Sequence, residues 1–100
     1  MIRFEIDSVE STDGGALICG RVHEGTVRVG SCFTDVKCSD SKTLNNKVNL
    51  RVIRIVAYGH SLDDLPDGMT GELKVSGEGI AQLSAGPYPL TVLGKGGDNE

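Results

Sequence analysis

Glycine-punctuated strand segments in residues 16–30 restrict the fold of this chain more than any other feature. Apolar residues or glycine occupy positions 18, 20 and 22, and Cys, Arg and His occupy the positions after them. This alternation is typical of a half-buried strand, and Gly20 within it marks a close approach of another backbone. Gly25 predicts a tight turn. Val27 and Val29 predict a second, extended segment after it, and Gly30 predicts the end of that segment. Such bends are typical of a small closed barrel.

The composition leads to the same fold class. The 100 residues include 14 Gly, no Trp and 4% aromatic residues, so the core must be aliphatic and built from strands. This length suits one domain. We predict an all-β fold, a small six- to seven-stranded antiparallel closed β-barrel over residues 1–93, followed by a flexible Gly-rich tail over residues 94–100.

Period-two alternation also places the individual strands. It predicts strands at residues 2–9, 16–23, 26–29, 32–37, 48–58, 69–75 and 90–93. Asp13, Gly14 and Gly15 suit the tight turn of a hairpin between the first two strands. The alternation slips near Val52 and Ile53, which predicts a β-bulge. We expect loops at residues 39–47 and 59–68, and both are candidates for binding contacts because a rigid barrel presents its loops.

The charge distribution disfavours an extended nucleic-acid surface. The formal net charge is −4, and the Lys and Arg residues form no cluster of three along the sequence, whereas phosphate neutralisation needs concentrated positive charge. The fold therefore decides whether the cations in predicted strands converge. These cations are Arg21, Arg28, Arg51, Arg54 and Lys74.

The cysteines and the N-terminal segment bear on the compartment. Cys19, Cys32 and Cys38 are an odd number at spacings that match no disulfide framework, which favours a reducing environment. The first residues alternate like a strand rather than forming the apolar run of a signal peptide, and no window reaches transmembrane length. We expect a cytoplasmic protein with no membrane partner.

A zinc site is one hypothesis for the sulfur ligands. Cys19 and His23 are an even number of residues apart, as are Cys32 and Cys38, so each pair would lie on one face of a strand. Structural zinc sites usually use close pairs such as Cys-x-x-Cys, which this chain lacks. We therefore expect inert thiols, no metal and no cofactor.

A small hydrolase centred on His60 is an alternative from the enzyme class. Ser61, Asp63 and Asp64 follow His60 closely, and a base, a nucleophile and an orienting group could be drawn from such residues. They lie in one predicted loop without a nucleophile elbow or a pair of catalytic acids. We expect no catalytic residue and no enzyme.

Several blocks of residues, in order along the chain, resemble one family of barrels. They are Ile6-Asp7-Ser8-Val9, Gly20-Arg21-Val22, Val52-Ile53-Arg54-Ile55, Tyr58-Gly59-His60, Leu65-Pro66-Asp67-Gly68-Met69-Thr70-Gly71, Leu73-Lys74-Val75 and Ser84-Ala85-Gly86. Together they resemble the second domain of translational GTPases, as in elongation factor Tu and its relatives, over nearly the whole chain up to residue 93. The resemblance implies a β-barrel that in this family packs on a nucleotide domain and contacts transfer RNA or the small ribosomal subunit.

Two departures restrict what that resemblance implies. The chain has no Gly-x-x-x-x-Gly-Lys-Ser/Thr loop, so it cannot be a GTPase by that route. The apolar run at residues 53–57 offers no carboxylate of the kind that elongation factor Tu uses there for the terminal nucleotide. The expected protein is therefore a stand-alone barrel without the GTPase domain.

We expect a non-catalytic interaction module that binds a protein partner through its loops. The side chains predicted to contact the partner are Arg21, His23, Arg28, Arg54, His60, Leu62, Leu65 and Lys74. The two leucines have a second interpretation, in which they cap the end of the barrel. An RNA- or ribosome-contacting module using the four cations of this set is the first alternative. A barrel that inhibits or directs a GTPase or a toxin is another, and the oligomeric state is left open.

Overall fold

Nine strands occupy the part of the chain that the computed structural model describes, which is residues 2–38, 46–80, 83 and 90–95. They are β1 (Ile2–Thr12), β2 (Gly15–Glu24), β3 (Val27–Arg28), β4 (Cys32–Cys38), β5 (Asn46–Ala57), β6 (His60–Leu62), β7 (Asp64–Leu65), β8 (Thr70–Glu78) and β9 (Leu90–Lys95). The described residues include no helix long and apolar enough to cross a lipid bilayer.

Six of these strands close into an antiparallel barrel. The order is β4-β9-β1-β2-β8-β5, and β5 pairs back with β4 to complete the ring. The same edge of β5 pairs with β4 at one end and with the short strand β6 at the other, from Ile55 to Ala57. The prediction of a small closed antiparallel barrel is confirmed, with β6 as an additional strand.

Aliphatic side chains fill the barrel, as the composition predicts. Every strand of the ring places alternate apolar residues inside, where neighbouring strands bury them from water. The largest fully buried side chains are Phe4, Phe33, Ile6, Ile18, Leu50, Ile55, Leu65, Leu73, Leu83, Leu90, Val22 and Val27. Burial of this apolar surface is the main stabilising contribution to the fold.

The predicted loop at residues 59–68 contains two strands, which corrects the sequence interpretation. Residues 60–62 pair with the end of β5 as β6, and β7 pairs with β3 in a separate two-stranded sheet. Val27 of β3 and Leu65 of β7 are both fully buried in the barrel core. Strands this short have no detectable period in sequence, because their pairing depends on what the barrel places beside them.

The last strand is also longer than predicted. β9 continues through Lys95, so the domain boundary drawn after residue 93 falls inside this strand. Gly94 is buried against β4, where an added Cβ would lie 1.9 Å from the carbonyl oxygen of Cys32. The loop predicted at residues 39–47 is shorter than expected, because residues 46 and 47 belong to β5. Residues 39–45, the rest of the predicted tail and the block at residues 84–86 lie outside the described residues.

Two local predictions within the long strands are confirmed. The pairing of β5 with β8 shifts between Val52 and Arg54, so Ile53 is the extra residue of a β-bulge. Gly20 is the close approach that its position within β2 predicts, because a Cβ there would lie 1.8 Å from the carbonyl oxygen of Glu5. Both features bend the strands tightly enough for six of them to close a ring.

Candidate functional site

The β5–β6 hairpin exposes an aromatic side chain at its tip. Ala57 pairs with His60, so Tyr58 and Gly59 form a two-residue turn with φ angles of 54° and 78°. A two-residue turn with positive φ at both positions favours Asn or Gly at the first one, and a bulky side chain there is an outlier. Tyr58 is nevertheless 79% exposed. We call Tyr58, Gly59 and His60 the hairpin tip.

This backbone conformation is unusual within the protein. Across the described ranges, Tyr58 is the one residue other than glycine with a positive φ. The conformation costs a residue with a Cβ about 1–2 kcal/mol relative to a right-handed one. Strained backbone of this kind concentrates at functional sites, where the surrounding structure holds it in place. Here the two paired strands on either side of the turn hold it.

Three cations lie beside one another on the outer face of β5 and β8. Arg54 and Lys74 are direct cross-strand partners, and Arg51 lies three residues before Arg54 on β5. The two arginines are exposed and the lysine is half-buried. We call Arg51, Arg54 and Lys74 the basic patch. The fold therefore brings together cations that form no cluster along the sequence.

The described ion pairs include no cation of the basic patch. Arg3 pairs with Glu24 and Lys47 with Asp35, and His23 contacts Glu5 at 3.1 Å; none of these contacts includes a cation of the patch. Arg54 donates a hydrogen bond of 3.3 Å to the hydroxyl of Ser61 on β6. Glu72 is the carboxylate on β8 closest in sequence to Lys74. Its Oε2 accepts a 3.5 Å hydrogen bond from the Cys19 thiol on β2, away from β5.

Three other predicted contact residues lie outside the basic patch. Arg21 donates from Nε to the carbonyl oxygen of Gly68 at 3.1 Å, and this contact joins β2 to the turn before β8. His23 Nε2 lies 3.1 Å from Glu5 Oε1 on β1. Arg28 belongs to β3, opposite Asp64 of β7. The set predicted from sequence is therefore distributed over several parts of the barrel surface.

Leu62 and Leu65, which are predicted from sequence to contact a partner, pack against the core of the barrel. Leu65 is fully buried, so its assignment as a partner-binding residue is corrected to a core residue. Its methyl groups pack beside Gly71, where an added Cβ would meet them at 2.9 and 3.2 Å. Leu62 is partly buried and packs against the same core. Capping, the second interpretation of these residues, is what their burial supports.

The residues of the hydrolase alternative are exposed on and beside β6. His60, Ser61, Asp63 and Asp64 all face solvent. The Ser61 hydroxyl accepts the hydrogen bond from Arg54, and the described contacts place no hydrogen bond between His60 and the other three residues. The structure therefore brings these groups into one region without arranging them as base, nucleophile and orienting group.

The predicted sulfur ligands lie on different strands. Cys19 and Cys32 are free thiols on β2 and β4, and the side chain of Cys38 lies outside the described residues. Burial raises the pKa of the Cys19 thiol, Ser8 lowers it in part by a hydrogen bond, and Glu72 raises it further. Within the described ranges, no group of three or more His, Cys, Asp or Glu residues could hold a metal ion.

Four residues of this region are absent from the set of contacts predicted from sequence, namely Arg51, Ile53, Tyr58 and Gly59. Arg51 and Ile53 need the position of the bulge, which decides that both side chains flank Arg54 on the outer face. Tyr58 and Gly59 need the pairing of Ala57 with His60, which makes them the turn of a hairpin. The residues after Gly59 form no apolar run that would predict a second strand. All four depend on which strands are neighbours, so the sequence alone does not find them.

No protein-family model and no curated protein matches this chain. The structure is compatible with a small barrel domain, and the resemblance to the second domain of translational GTPases stays a prediction. What the chain does must therefore be inferred from the geometry of its own residues.

Proposed function

We propose that this protein is a non-catalytic interaction module that binds a protein partner, with the hairpin tip as its principal contact. The observation that carries the proposal is Tyr58, an aromatic side chain that is 79% exposed on a backbone of positive φ. An Asn or Gly at this position would remove the strain, so the stability of the barrel does not require the Tyr. We attribute the presence of Tyr58 to a contact that its ring makes with a partner.

The chemistry of the side chain favours a protein as the partner. Tyrosine is enriched at protein interfaces, because it combines a large apolar ring with a hydroxyl that can be hydrogen-bonded. It is also among the residues whose truncation costs most binding energy. A ring that stands in water when the protein is alone gains the full benefit of burial when a partner covers it.

The barrel holds the hairpin tip in a fixed position. β5 is 12 residues long and pairs with β8 along one edge and with β4 and β6 along the other. A preorganised contact residue loses little conformational entropy on binding. The resemblance to the barrels of translation factors supports the same interpretation, since the family's barrel also works by contacting other molecules.

A pair of tagged baits tests this proposal. Wild type and Tyr58→Asn are used to capture proteins from a lysate of the source cells, and the bound proteins are quantified by mass spectrometry. We expect a specific protein to be retained by wild type and to decrease about tenfold with Tyr58→Asn, as for an interface hot spot. The melting temperature of the variant should equal or exceed that of wild type, because Asn tolerates the left-handed region better.

The control is Thr34→Asn, an exposed position on β4 away from the hairpin tip, which should leave the capture unchanged. The proposal is wrong if wild type retains no specific protein. It is also wrong if Tyr58→Asn retains the same proteins in the same amounts. A measured melting temperature of Tyr58→Asn at or above that of wild type excludes unfolding as the cause of lost capture.

A further inference from the structure

The basic patch is held together at a cost to the barrel. Arg54 and Lys74 stand directly opposite each other on β5 and β8, where like charges are destabilising. Arg51 adds a third positive charge within about 10 Å along the strand. No described carboxylate forms an ion pair with any of the three. In a protein of net charge −4, this concentration of cations without an ion pair is a local exception.

The β-bulge places an apolar side chain among these charges. In a regular strand, Ile53 and Arg54 would point to opposite faces. The extra residue of the bulge keeps Val52 and Ile55 in the core and leaves both intervening side chains outside. Ile53 is 44% exposed as a result. The outer face of β5 therefore presents an isoleucine between two arginines.

Hydrogen bonds on the other edge of β5 make this arrangement rigid. The Val52 amide donates to the carbonyl of Ser31, and its carbonyl accepts from the amide of Gly30, both at 2.8 Å. The hydrogen bond from Arg54 to Ser61 ties the patch to β6 and thus to the hairpin tip. The cations and the tip are therefore parts of one continuous surface on a fixed backbone.

We infer that the basic patch binds an acidic segment of the protein partner, with an apolar side chain of that segment resting on Ile53. This inference rests on the proposed function and specifies the chemistry of the partner. Arg54, whose guanidinium lies beside Ser61 on β6, and Lys74, its cross-strand partner on β8, offer two positive charges to the carboxylates of such a segment. Arg51 is placed to take a second carboxylate farther along β5. The barrel is stabilised when the partner's charges relieve the repulsion.

Charge and composition favour an acidic protein segment over a nucleic acid. Three cations neutralise few phosphates, whereas nucleic-acid affinity depends on many such contacts. The net charge of −4 opposes the approach of a polyanion. An exposed isoleucine gains little from a phosphate backbone, but it gains from an apolar side chain on a protein. We therefore expect the partner's segment to carry carboxylates that alternate with apolar side chains.

Selection from a phage-displayed library of random 12-residue peptides tests the inference on the intact protein. We expect the selected peptides to be enriched in Asp and Glu with an intervening apolar residue. Their affinity for Arg54→Glu should be at least about tenfold lower than for wild type, because a charge pair becomes a repulsion. Ile53→Ser should lower the affinity by several fold, since it removes apolar contact area.

Lys37→Glu on β4 is the matched control. Like Arg54→Glu it changes the formal charge from −4 to −6, but it lies outside the patch. It should bind the selected peptides within about twofold of wild type, because the local contact rather than the net charge governs affinity. Circular dichroism of each variant confirms that the barrel is folded before binding is compared.

Four results would overturn the inference. One is that no peptide is selected, and another is that the selected peptides are not acidic. A third is that Arg54→Glu binds them as well as Lys37→Glu does. The fourth is that a 12-nucleotide oligouridine, or a second copy of the chain in sedimentation equilibrium, occupies the patch in an Arg54-dependent way while the acidic peptides do not. Persistence of the Tyr58-dependent capture in any of these cases would leave the proposed function standing and remove only the acidic partner.

Discussion

Replacing Gly20 by Ala tests how closely β1 and β2 approach each other. The Cβ of an alanine at this position would lie 1.8 Å from the carbonyl oxygen of Glu5 and 3.1 Å from the Cα of Ile6. Ordinary contact begins at 3.4 Å, so the two backbones would have to separate by about 1.6 Å, the difference between these distances. Ile6 is fully buried and pairs with Gly20. The displacement therefore moves a core strand.

The expected loss of stability follows from that displacement. Separating the strands weakens about two backbone hydrogen bonds, each contributing about 1 kcal/mol. Strain in a packed core adds about 1–3 kcal/mol. We expect the free energy of unfolding to fall by about 4 kcal/mol in total, a large part of the 5–15 kcal/mol typical of a domain. For a chain of this length, this corresponds to a fall in Tm of about 16–32 °C.

Gly14→Ala separates the close contact from backbone strain. Gly14 has a φ of 77°, and no atom lies within 4 Å of a Cβ added there. Alanine at this position therefore costs only the conformational penalty of about 1–2 kcal/mol. Thermal and urea unfolding followed by far-ultraviolet circular dichroism measure both variants. The reasoning fails if Gly20→Ala is no more destabilising than Gly14→Ala. If Gly20→Ala is unfolded even at low temperature, its loss of stability exceeds the free energy of unfolding of the wild type, which agrees with the reasoning.

Three further predictions concern the core, an ion pair and a thiol. Leu65→Ala should destabilise the barrel by about 2–5 kcal/mol in urea denaturation, and an equal or smaller effect than that of Leu62→Ala would contradict the role of Leu65 in the core. Hydrogen bonds from Lys47 and Thr34 lower the pKa of Asp35, so its stabilising contribution is present above the unfolded-state pKa and is lost as the pH falls through the lower folded-state value. The difference in Tm between wild type and Asp35→Asn should accordingly shrink toward acidic pH, and a constant difference would refute it. In a variant whose other two cysteines are Ser, iodoacetamide should alkylate Cys19 with a more alkaline pH midpoint in buffer than in urea, because burial raises its pKa; equal midpoints would count against this.

Much of the fold can be predicted without the structure, because the relevant signals are local. Alternation of apolar and polar residues places the long strands, since a strand buries one face. The close approach at Gly20 and the slip at Val52 and Ile53 are also readable from neighbouring residues alone. Each prediction depends on backbone conformations that a few consecutive residues specify.

The site depends on relations that a single strand cannot specify. Arg54 and Lys74 are 20 positions apart, and a shift of one residue in the pairing of β5 with β8 would send their side chains to opposite faces. Leu65 is buried because β7 pairs with β3 and places this side chain against the barrel core. The strand at Gly94 requires β4 as its neighbour.

The amino-acid sequence by itself therefore determined the all-β class, the main strands and the bends that close the ring. Its local patterns depend on the conformation of consecutive residues, which the chain carries wherever it folds. Only the tertiary structure decided which cations meet, which leucine is buried, and that Tyr58 stands exposed at a strained turn. Those outcomes depend on strand register and barrel closure, which bring together residues distant in sequence.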